Sequence, residues 1–424
     1  MKKKVGGYSL SNDRNWREKE LSLSEVIRKY PDVSPFVIIK TDVQRRGVFY
    51  TEKALAAVDP DVHLTKLRSD YSNKEDLTPV SLTMRDGTSI NVGDEGSGEA
   101  HGDRDPYQVD VVDGKIVLVD EGNVIEEVSY WEKPDYYEKV TSRGTPMWHV
   151  VSPRPQRLCI HPHQQCDFWK TPGYGCKFCT MSAVYHAGNK PELLNTQDIV
   201  ETVAEALKEP GRNVNIFLTG GTLRGGENFL DEELDCYIDI LAGITGLFGG
   251  KRFPSQLIST AFSREQLRRL HDSTGLASYT ADLEVLNKSL FEWICPGKAA
   301  TIGYEEWKNR LYEAVEIFGR GNVDTGIVAG VELAQPNGFQ TEEEALESTL
   351  SEADEISSHG VGVVGCVWKV HPGSIFRKQT SPSLEYYVRL ATGLDQIRRK
   401  YNLSIDMDNY RRCGNHPDTD LSRI

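Results

Sequence analysis

The sequence predicts an α/β protein: a parallel sheet curled into a partial (β/α)6, TIM-like barrel, preceded by a small β-rich N-terminal region. Three observations predict it. From residue 157 onward, strand-like apolar runs alternate with helical periods six times, with short connections, and a curled parallel sheet is the compact solution for that pattern. A run rich in Gly, Pro and Cys follows the first of those strands, at the carboxyl edge where chemistry sits in such barrels. The first 150 residues instead hold short alternating runs, and the texture changes once, near residue 150.

Residues 1 to about 30 are polar and charged, with a helical patch at Ser24–Tyr30. Strand-like runs follow at Phe36–Lys40, Val48–Thr51, Val80–Met84, Ile90–Val92, Val109–Val112, Ile116–Val119 and Val124–Tyr130. Asp86-Gly87 and Asp113-Gly114 separate pairs of these runs as hairpin turns, because Asp and Gly tolerate the positive φ such turns need. Gly93–Asp105 has almost nothing apolar to bury and reads as a solvated loop. In the second part the expected strands are Arg157–Ile160, Asn215–Thr219, Gln256–Ala261, Ser278–Leu283, Thr325–Val331 and Val361–Val370. The expected helices are Thr196–Lys208, Asp231–Thr245, Arg264–Asp272, Tyr304–Phe318, Glu342–Ser358 and Leu384–Tyr401. Thr196, Ser263, Thr341 and Ser381 stand where caps are needed, and Gly275, Gly319 and Gly360 where helices end. The chain therefore divides into a β-rich region over 1–150, a barrel core over 151–380 and a helix and tail over 381–424 that closes the barrel mouth.

The bulk composition excludes several classes. With 49 basic and 63 acidic residues the net charge is −14, so nucleic acid is not an expected partner of the surface as a whole. No apolar run approaches the roughly 20 residues of a membrane span, and Met1–Lys4 leads into Val5-Gly6-Gly7 instead of an apolar signal core. A cytoplasmic protein is expected. Eight cysteines in 424 residues are too sparse for a disulfide scaffold, and in a reducing compartment a tight cysteine cluster points to metal or redox chemistry.

That cluster is Cys166, Cys176 and Cys179, spaced C-x9-C-x2-C around Pro172, Gly173 and Gly175. Thiolates are the soft ligands that zinc and iron-sulfur clusters select. A structural zinc site has four protein ligands, whereas three thiolates on a [4Fe-4S] cluster leave one iron open. Cys159, on the preceding strand, reads as a small buried hydrophobe, with a fourth ligand as the alternative. His161 and His163 stand at the mouth of the same strand, for contact with substrate or for hydrogen bonds within the loop. Cys236 and Cys366 read as core residues. Lys177 beside a ligand position reads as solvated, or as a charge that raises the cluster potential.

On these residues the chain resembles the radical S-adenosylmethionine (SAM) superfamily. The commonest spacing there is C-x3-C-x2-C with an aromatic before the last cysteine, the position of Phe178; the first gap here is nine residues. A nine-residue gap is similar to that of the elongator catalytic subunit, whose acetyltransferase domain has no counterpart here. It is also similar to that of a radical SAM family tied to nitrilase gene clusters, which the chain further resembles at Cys295-Pro296-Gly297-Lys298 and Phe318-Gly319-Arg320-Gly321. The resemblance covers residues 155–375. It implies that Gly220, Gly221 and Thr222 form the turn that holds the amino group of SAM, with Thr222 where the superfamily has an acidic residue and Glu227 nearby out of register. It implies that Asp282 and Glu284 accept hydrogen bonds from the ribose hydroxyls, that Val328 flanks the adenine, and that Glu332 takes the acidic position after it, one residue early.

The resemblance further implies the cofactors, a [4Fe-4S] cluster and S-adenosyl-L-methionine, and the reaction: reductive cleavage to a 5′-deoxyadenosyl radical that abstracts hydrogen from a small-molecule substrate. A reductant such as flavodoxin or ferredoxin, and a homodimer, are the expected partners. Lys369, His371 and Arg411 are candidate substrate contacts, and Tyr410 and Cys413 candidate hydrogen donors on the tail. Two other readings stand beside this one: a radical SAM enzyme acting on a macromolecule such as tRNA, and a metal-binding module without turnover.

Overall fold

The computed structural model describes residues 20–65, 78–92, 105–181, 193–403 and 414–423. Helix α1 (Leu23–Lys29) opens on a capping box in which the Ser22 hydroxyl caps Glu25 N and the Glu25 carboxylate reaches back to Ser22. Helix α2 (Pro35–Arg46) replaces the strand expected at Phe36–Lys40. Pro35 sits in the first turn, where its missing N–H costs nothing, and every residue from Val37 to Arg45 is buried. A helix buried on all faces shows no amphipathic period, so its apolar run looks like a strand.

The other expected strands form. They are β1 (Val48–Tyr50), β2 (Ser81–Met84), β3 (Ser89–Asn91), β4 (Tyr107–Val112), β5 (Lys115–Asp120) and β6 (Asn123–Tyr130), with the short helix α3 (Glu52–Ala56) after β1. They build one sheet in the order β1-β4-β5-β6-β2-β3, in which only β1 and β4 pair in parallel. Asp113 (φ 50°) and Gly114 (φ 77°) make the expected hairpin turn, and Glu121 (φ 49°) with Gly122 (φ 79°) makes a second of the same backbone type. Most of Gly93–Asp105 lies outside the described residues.

The second sheet runs β13-β12-β11-β10-β9-β8-β7. Its strands are β7 (Ser152–Arg154), β8 (Arg157–Ile160), β9 (Asn215–Thr219), β10 (Ser255–Ile258), β11 (Ser278–Thr280), β12 (Val323–Ala329) and β13 (Gly362–Val367). β8 to β13 are parallel in sequence order, and β7 folds back on β8 as an antiparallel edge. A cavity of about 260 Å³ takes lining residues from every one of the seven strands, Arg154 on β7 to Cys366 on β13, so the sheet curls around it. β7 and β13 are not hydrogen-bonded to each other, and the curl is a half-barrel.

The helices are α4 (Asp167–Lys170), α5 (Thr196–Ala206), α6 (Asp231–Leu247), α7 (Arg264–Ser273), α8 (Lys288–Ile294), α9 (Pro296–Thr301), α10 (Tyr304–Phe318), α11 (Glu342–Ser358), α12 (Leu384–Lys400) and α13 (Pro417–Asp420). Ser263 and Thr341 cap as expected. The caps expected of Thr196 and Ser381 belong instead to Asn195 and Ser383, because an N-cap must stand before the first helical residue with its oxygen over the N2 or N3 amide. α8 and α9, between β11 and α10, have no counterpart in the sequence reading.

The C-terminal segment ties the two sheets together. Gly365 N on β13 donates to Asp418 Oδ1 at 3.2 Å, and Arg398 Nη1 on α12 meets Asp418 Oδ2 at 2.6 Å with both side chains buried. Lys40 Nζ on α2 meets Asp420 Oδ2 at 2.7 Å, also buried. Gly414 O accepts from Gln44 Nε2 and from Asn91 N on β3. Removing one member of a buried pair leaves an uncompensated charge. Asp418→Ala is therefore expected to lower stability by about 3–5 kcal/mol, read as a lower thermal midpoint by circular dichroism. Lys29→Ala, which breaks the exposed pair with Glu385, should cost about 0–1 kcal/mol; equal effects would refute the ranking.

Candidate active site

The chain leaves β8 at Ile160, passes the buried His163 and reaches Cys166. The nine residues before Cys176 are a folded unit. They begin with α4, and Arg224 clasps them from the loop after β9. Asp167 N donates to Thr222 O at 2.7 Å, Arg224 N donates to Asp167 Oδ2 at 2.8 Å, and Arg224 Nη2 donates to Thr171 Oγ1 at 3.0 Å. Gly175 lies under the Trp169 ring, where a Cβ would come within 2.5 Å of it. The long gap thus gives the loop contacts of its own with the neighbouring loop.

Gly220 and Gly221 are required by the protein itself. A Cβ on Gly221 would lie 2.2 Å from Gln165 O and 2.5 Å from Cys166 Cβ, and one on Gly220 would lie 2.8 Å from the His163 ring. The sequence reading gave these glycines to the approach of a ligand; the contact present is with the cysteine loop. Thr222 Oγ1 is 2.7 Å from Thr260 Oγ1. Behind them, the buried Glu233 on α6 accepts from Leu223 N, Thr260 N and Thr260 Oγ1 at 3.1, 2.9 and 2.8 Å, and burial pushes its carboxyl up to about 7. Sequence reasoning missed Glu233, since nothing local separates it from Asp231 and Glu232 in the same acidic first turn. Glu227 is exposed.

The junction of α8 and α9 forms the other wall. Lys177 N donates to Ile294 O at 2.9 Å and Gly297 N to Tyr174 O at 3.0 Å. A Cβ on Gly297 would be 2.6 Å from Tyr174 O and from the Phe168 ring. Lys177 is not simply solvated: its Nζ donates to Trp293 O, and burial lowers its pKa. The loop after β13 joins here, with Phe376 N donating to Lys177 O at 3.0 Å and its ring against Trp293. Phe178 is half-buried against the main core.

Beyond β11, Lys298 Nζ donates to Asp282 O at 2.6 Å and to Glu284 Oε1 at 2.7 Å. Asp282 Oδ1 accepts from Gly326 N at 2.8 Å. Glu284 has φ +70°, a left-handed conformation rare outside glycine, and burial pushes its carboxyl up to about 7 against the attraction of Lys298. Its backbone O accepts from Val328 N at 2.9 Å. Asp282, Glu284, Thr219 and His161 line the cavity at the carboxyl ends of the strands; Arg154, Arg157 and Gln256 line it at the amino ends. The Arg157 guanidinium lies 4.3 Å over the Phe217 ring. Asn415 and His416 of the C-terminal segment complete the wall, with Cys159 and Cys366 on the strands.

Other expected site residues lie elsewhere. Glu332 is buried in a turn, accepting from Gly330 N at 2.8 Å and from Tyr386 OH. Lys369 Nζ reaches Asn91 O at 3.5 Å on the N-terminal sheet, and His371 Nδ1 accepts from Gly373 N at 2.8 Å; neither lines the cavity. Tyr410, Arg411 and Cys413 lie outside the described residues.

Cys176 lies close enough to Cys166 and Cys179 to raise the pKa of both. Burial and then Cys176 push Cys166 up to about 11, burial and then Cys176 push Cys179 up to about 12, and Cys176 is raised first by a hydrogen bond with Cys295 and then by burial. Among the described residues no three His, Cys, Asp or Glu converge as the shell of one metal ion. Cysteine thiolates are the ligands of iron-sulfur clusters, and Cys166, Cys176 and Cys179 are the residues that would hold one here.

No protein-family model matches the chain. It is 25% identical over 280 residues to bacteriochlorophyllide c C-7(1)-hydroxylase of Chlorobaculum limnaeum, a match that spans 63% of this chain and 66% of that protein. Among solved structures it is similar to a radical SAM methyltransferase from Sphaerobacter thermophilus, at 16% identity, 94% and 98% coverage and a TM-score of 0.41. It is also similar to the methylornithine synthase PylB, at 15% identity, 57% and 68% coverage and a TM-score of 0.39, and to the cobalamin-dependent S-adenosylmethionine radical enzyme OxsB, at 14% identity, 71% and 44% coverage and a TM-score of 0.33. Superpositions this loose carry no weight; the weight falls on the curated match and on three cysteines in the loop after the first parallel strand. In that loop the chain resembles the radical SAM superfamily. Enzymes of that superfamily use a [4Fe-4S] cluster and S-adenosylmethionine.

Two expectations follow for this site. Gly221→Ala should reduce iron and sulfide bound per chain after anaerobic reconstitution, since its Cβ meets the backbone at Gln165; full loading would show that the loop gives way. Burial lifts Glu332 to about 7 from an ordinary 4.5. A carboxyl raised by folding contributes stability that is full below the unfolded pKa and is lost as pH rises through the folded one. Glu332→Gln cannot ionise, so its thermal midpoint should climb relative to wild type between about pH 5 and about pH 8; a pH-independent difference would contradict this.

Proposed function

We propose that Cys166, Cys176 and Cys179 hold a [4Fe-4S] cluster and that the protein acts on a small molecule in the barrel cavity. When bound, the cluster and SAM supply reductive cleavage of the sulfonium to a 5′-deoxyadenosyl radical that removes hydrogen from a carbon of the substrate. One observation carries the reading: the cysteine loop is gripped by segments that follow β9, β11 and β13, and Lys298, beside that grip, holds Asp282 and Glu284, which line the cavity.

The chain's own residues orient and shield. Gly220, Gly221 and Thr222 present backbone beside Cys166, where an amino group would be met. Asp282 and Glu284 offer carboxylate acceptors for a pair of hydroxyls, and Lys298 offsets their charge while fixing both. Val328 supplies an apolar flank on β12. Arg154 and Arg157, at the far end of the cavity, suit a carboxylate or phosphate on the substrate, because guanidinium binds both in a bidentate way. A cavity of about 260 Å³ and a net charge of −14 favour a small molecule over a tRNA. Hydroxylation also replaces a C–H bond, so the named activity of the C. limnaeum relative belongs to the same class of chemistry. A one-electron reductant such as flavodoxin or ferredoxin completes the system.

The test is anaerobic reconstitution with iron and sulfide, reduction, addition of SAM and detection of 5′-deoxyadenosine by mass spectrometry. Wild type should form it, and Cys176→Ala should form none. Tightly bound zinc with no cluster absorbance would sink the reading.

A further inference from the structure

We propose that the Cys295 thiol donates a hydrogen bond to the sulfur of Cys176 and so raises the potential of the cluster that Cys176 helps to hold; this rests on the reading of Cys176 as a ligand. The backbone geometry brings the two together. The cysteine loop and the α8–α9 junction run antiparallel, joined by Lys177 N to Ile294 O and by Gly297 N to Tyr174 O. One step in from the first bond, and two from the second, Cys176 stands opposite Cys295. Gly297 permits this approach, since a Cβ there would meet Tyr174 O and the Phe168 ring at 2.6 Å. Cys295 is fully buried, and its thiol is the first cause that raises the pKa of Cys176, in keeping with two side chains that face each other across this backbone register.

A buried cysteine is often only a small hydrophobe, and with two free thiols either sulfur can donate. Once iron replaces the Cys176 proton, that sulfur can only accept, and the S–H of Cys295 is the donor that faces it. A hydrogen bond to a ligand sulfur withdraws electron density from the cluster and favours the reduced form, which carries more negative charge. Lys298, whose charge also acts on Cys176, adds to the same effect. Cys295 is thus a positioning and tuning residue, without contact with substrate.

The experiment is a redox titration of reconstituted protein followed by electron paramagnetic resonance. Cys295→Ala should load a cluster whose midpoint is shifted to lower potential, and Cys295→Ser, which keeps an O–H donor, should stay near wild type. An unshifted midpoint in the alanine variant overturns the proposal, as does loss of the cluster in both variants, which would make Cys295 a ligand. Apo-protein gives a second readout. Diamide, accepting two hydrogens from a thiol pair, should join Cys176 to Cys295 in a disulfide-linked peptide found by mass spectrometry. Absence of that peptide overturns the contact. If wild type takes up no cluster, the ligand reading fails first and the tuning falls with it, while the diamide peptide still reports on the contact.

Discussion

Backbone lies against backbone where the cysteine loop crosses the loop after β9, and the candidate site depends on that approach. The loop buries the Phe168 ring, but its Gly and Pro residues offer little apolar surface, so burial alone does not hold its shape. It is held by contacts that tolerate no Cβ: Gly221 against Gln165 and Cys166, Gly297 against Tyr174 and Phe168, and Gly175 under Trp169. Around these, Asp167 and Arg224 make directional hydrogen bonds that fix the entry of the loop. Cores this close-packed transmit strain instead of absorbing it, so added bulk at one glycine is felt at the thiols.

A second constraint is charge. Three glutamates, the buried Glu233 and Glu332 and the half-buried Glu284, are all pushed towards neutrality by burial, and each is dealt with differently. Glu233 collects three donors and braces the glycine turn, Glu332 pins a turn to α12, and Glu284 is paired with Lys298. Only Glu284 combines a raised pKa, a strained backbone and a place on the cavity wall. Strain of that kind persists where surroundings over-determine it, and clusters at functional sites. Lys298 donates to both Asp282 and Glu284 and acts on Cys176, so one ammonium couples the carboxylate rim to the thiol loop.

Among the described residues β7 and β13 stand at the two edges of the half-barrel sheet, and a sheet edge is a liability unless covered. The C-terminal segment covers the β13 side through Gly365 and Asp418, and the buried pairs of Asp418 and Asp420 commit α2 and α12 to the same place. The N-terminal sheet is thereby fixed to the barrel beside the cavity wall that Asn415 and His416 complete.

The sequence by itself determined the alternation of β8 to β13 with their helices, the hairpins at Asp86-Gly87 and Asp113-Gly114, and the cysteine loop, because period, turn chemistry and thiol spacing are local. It misread Phe36–Lys40, where burial on all faces erased the helical period, and passed over α8 and α9. The tertiary structure alone decided which residues stand with the cysteines. Glu233 and Arg224 carry no local mark, Cys295 and Lys298 stand in a stretch that carries a resemblance but no stated role, and Gly220, Gly221 and Gly297 show their purpose only against the segments they touch. Such roles belong to contacts between stretches far apart in the chain, and these exist only once the sheet has curled and brought the ends of its strands to one side.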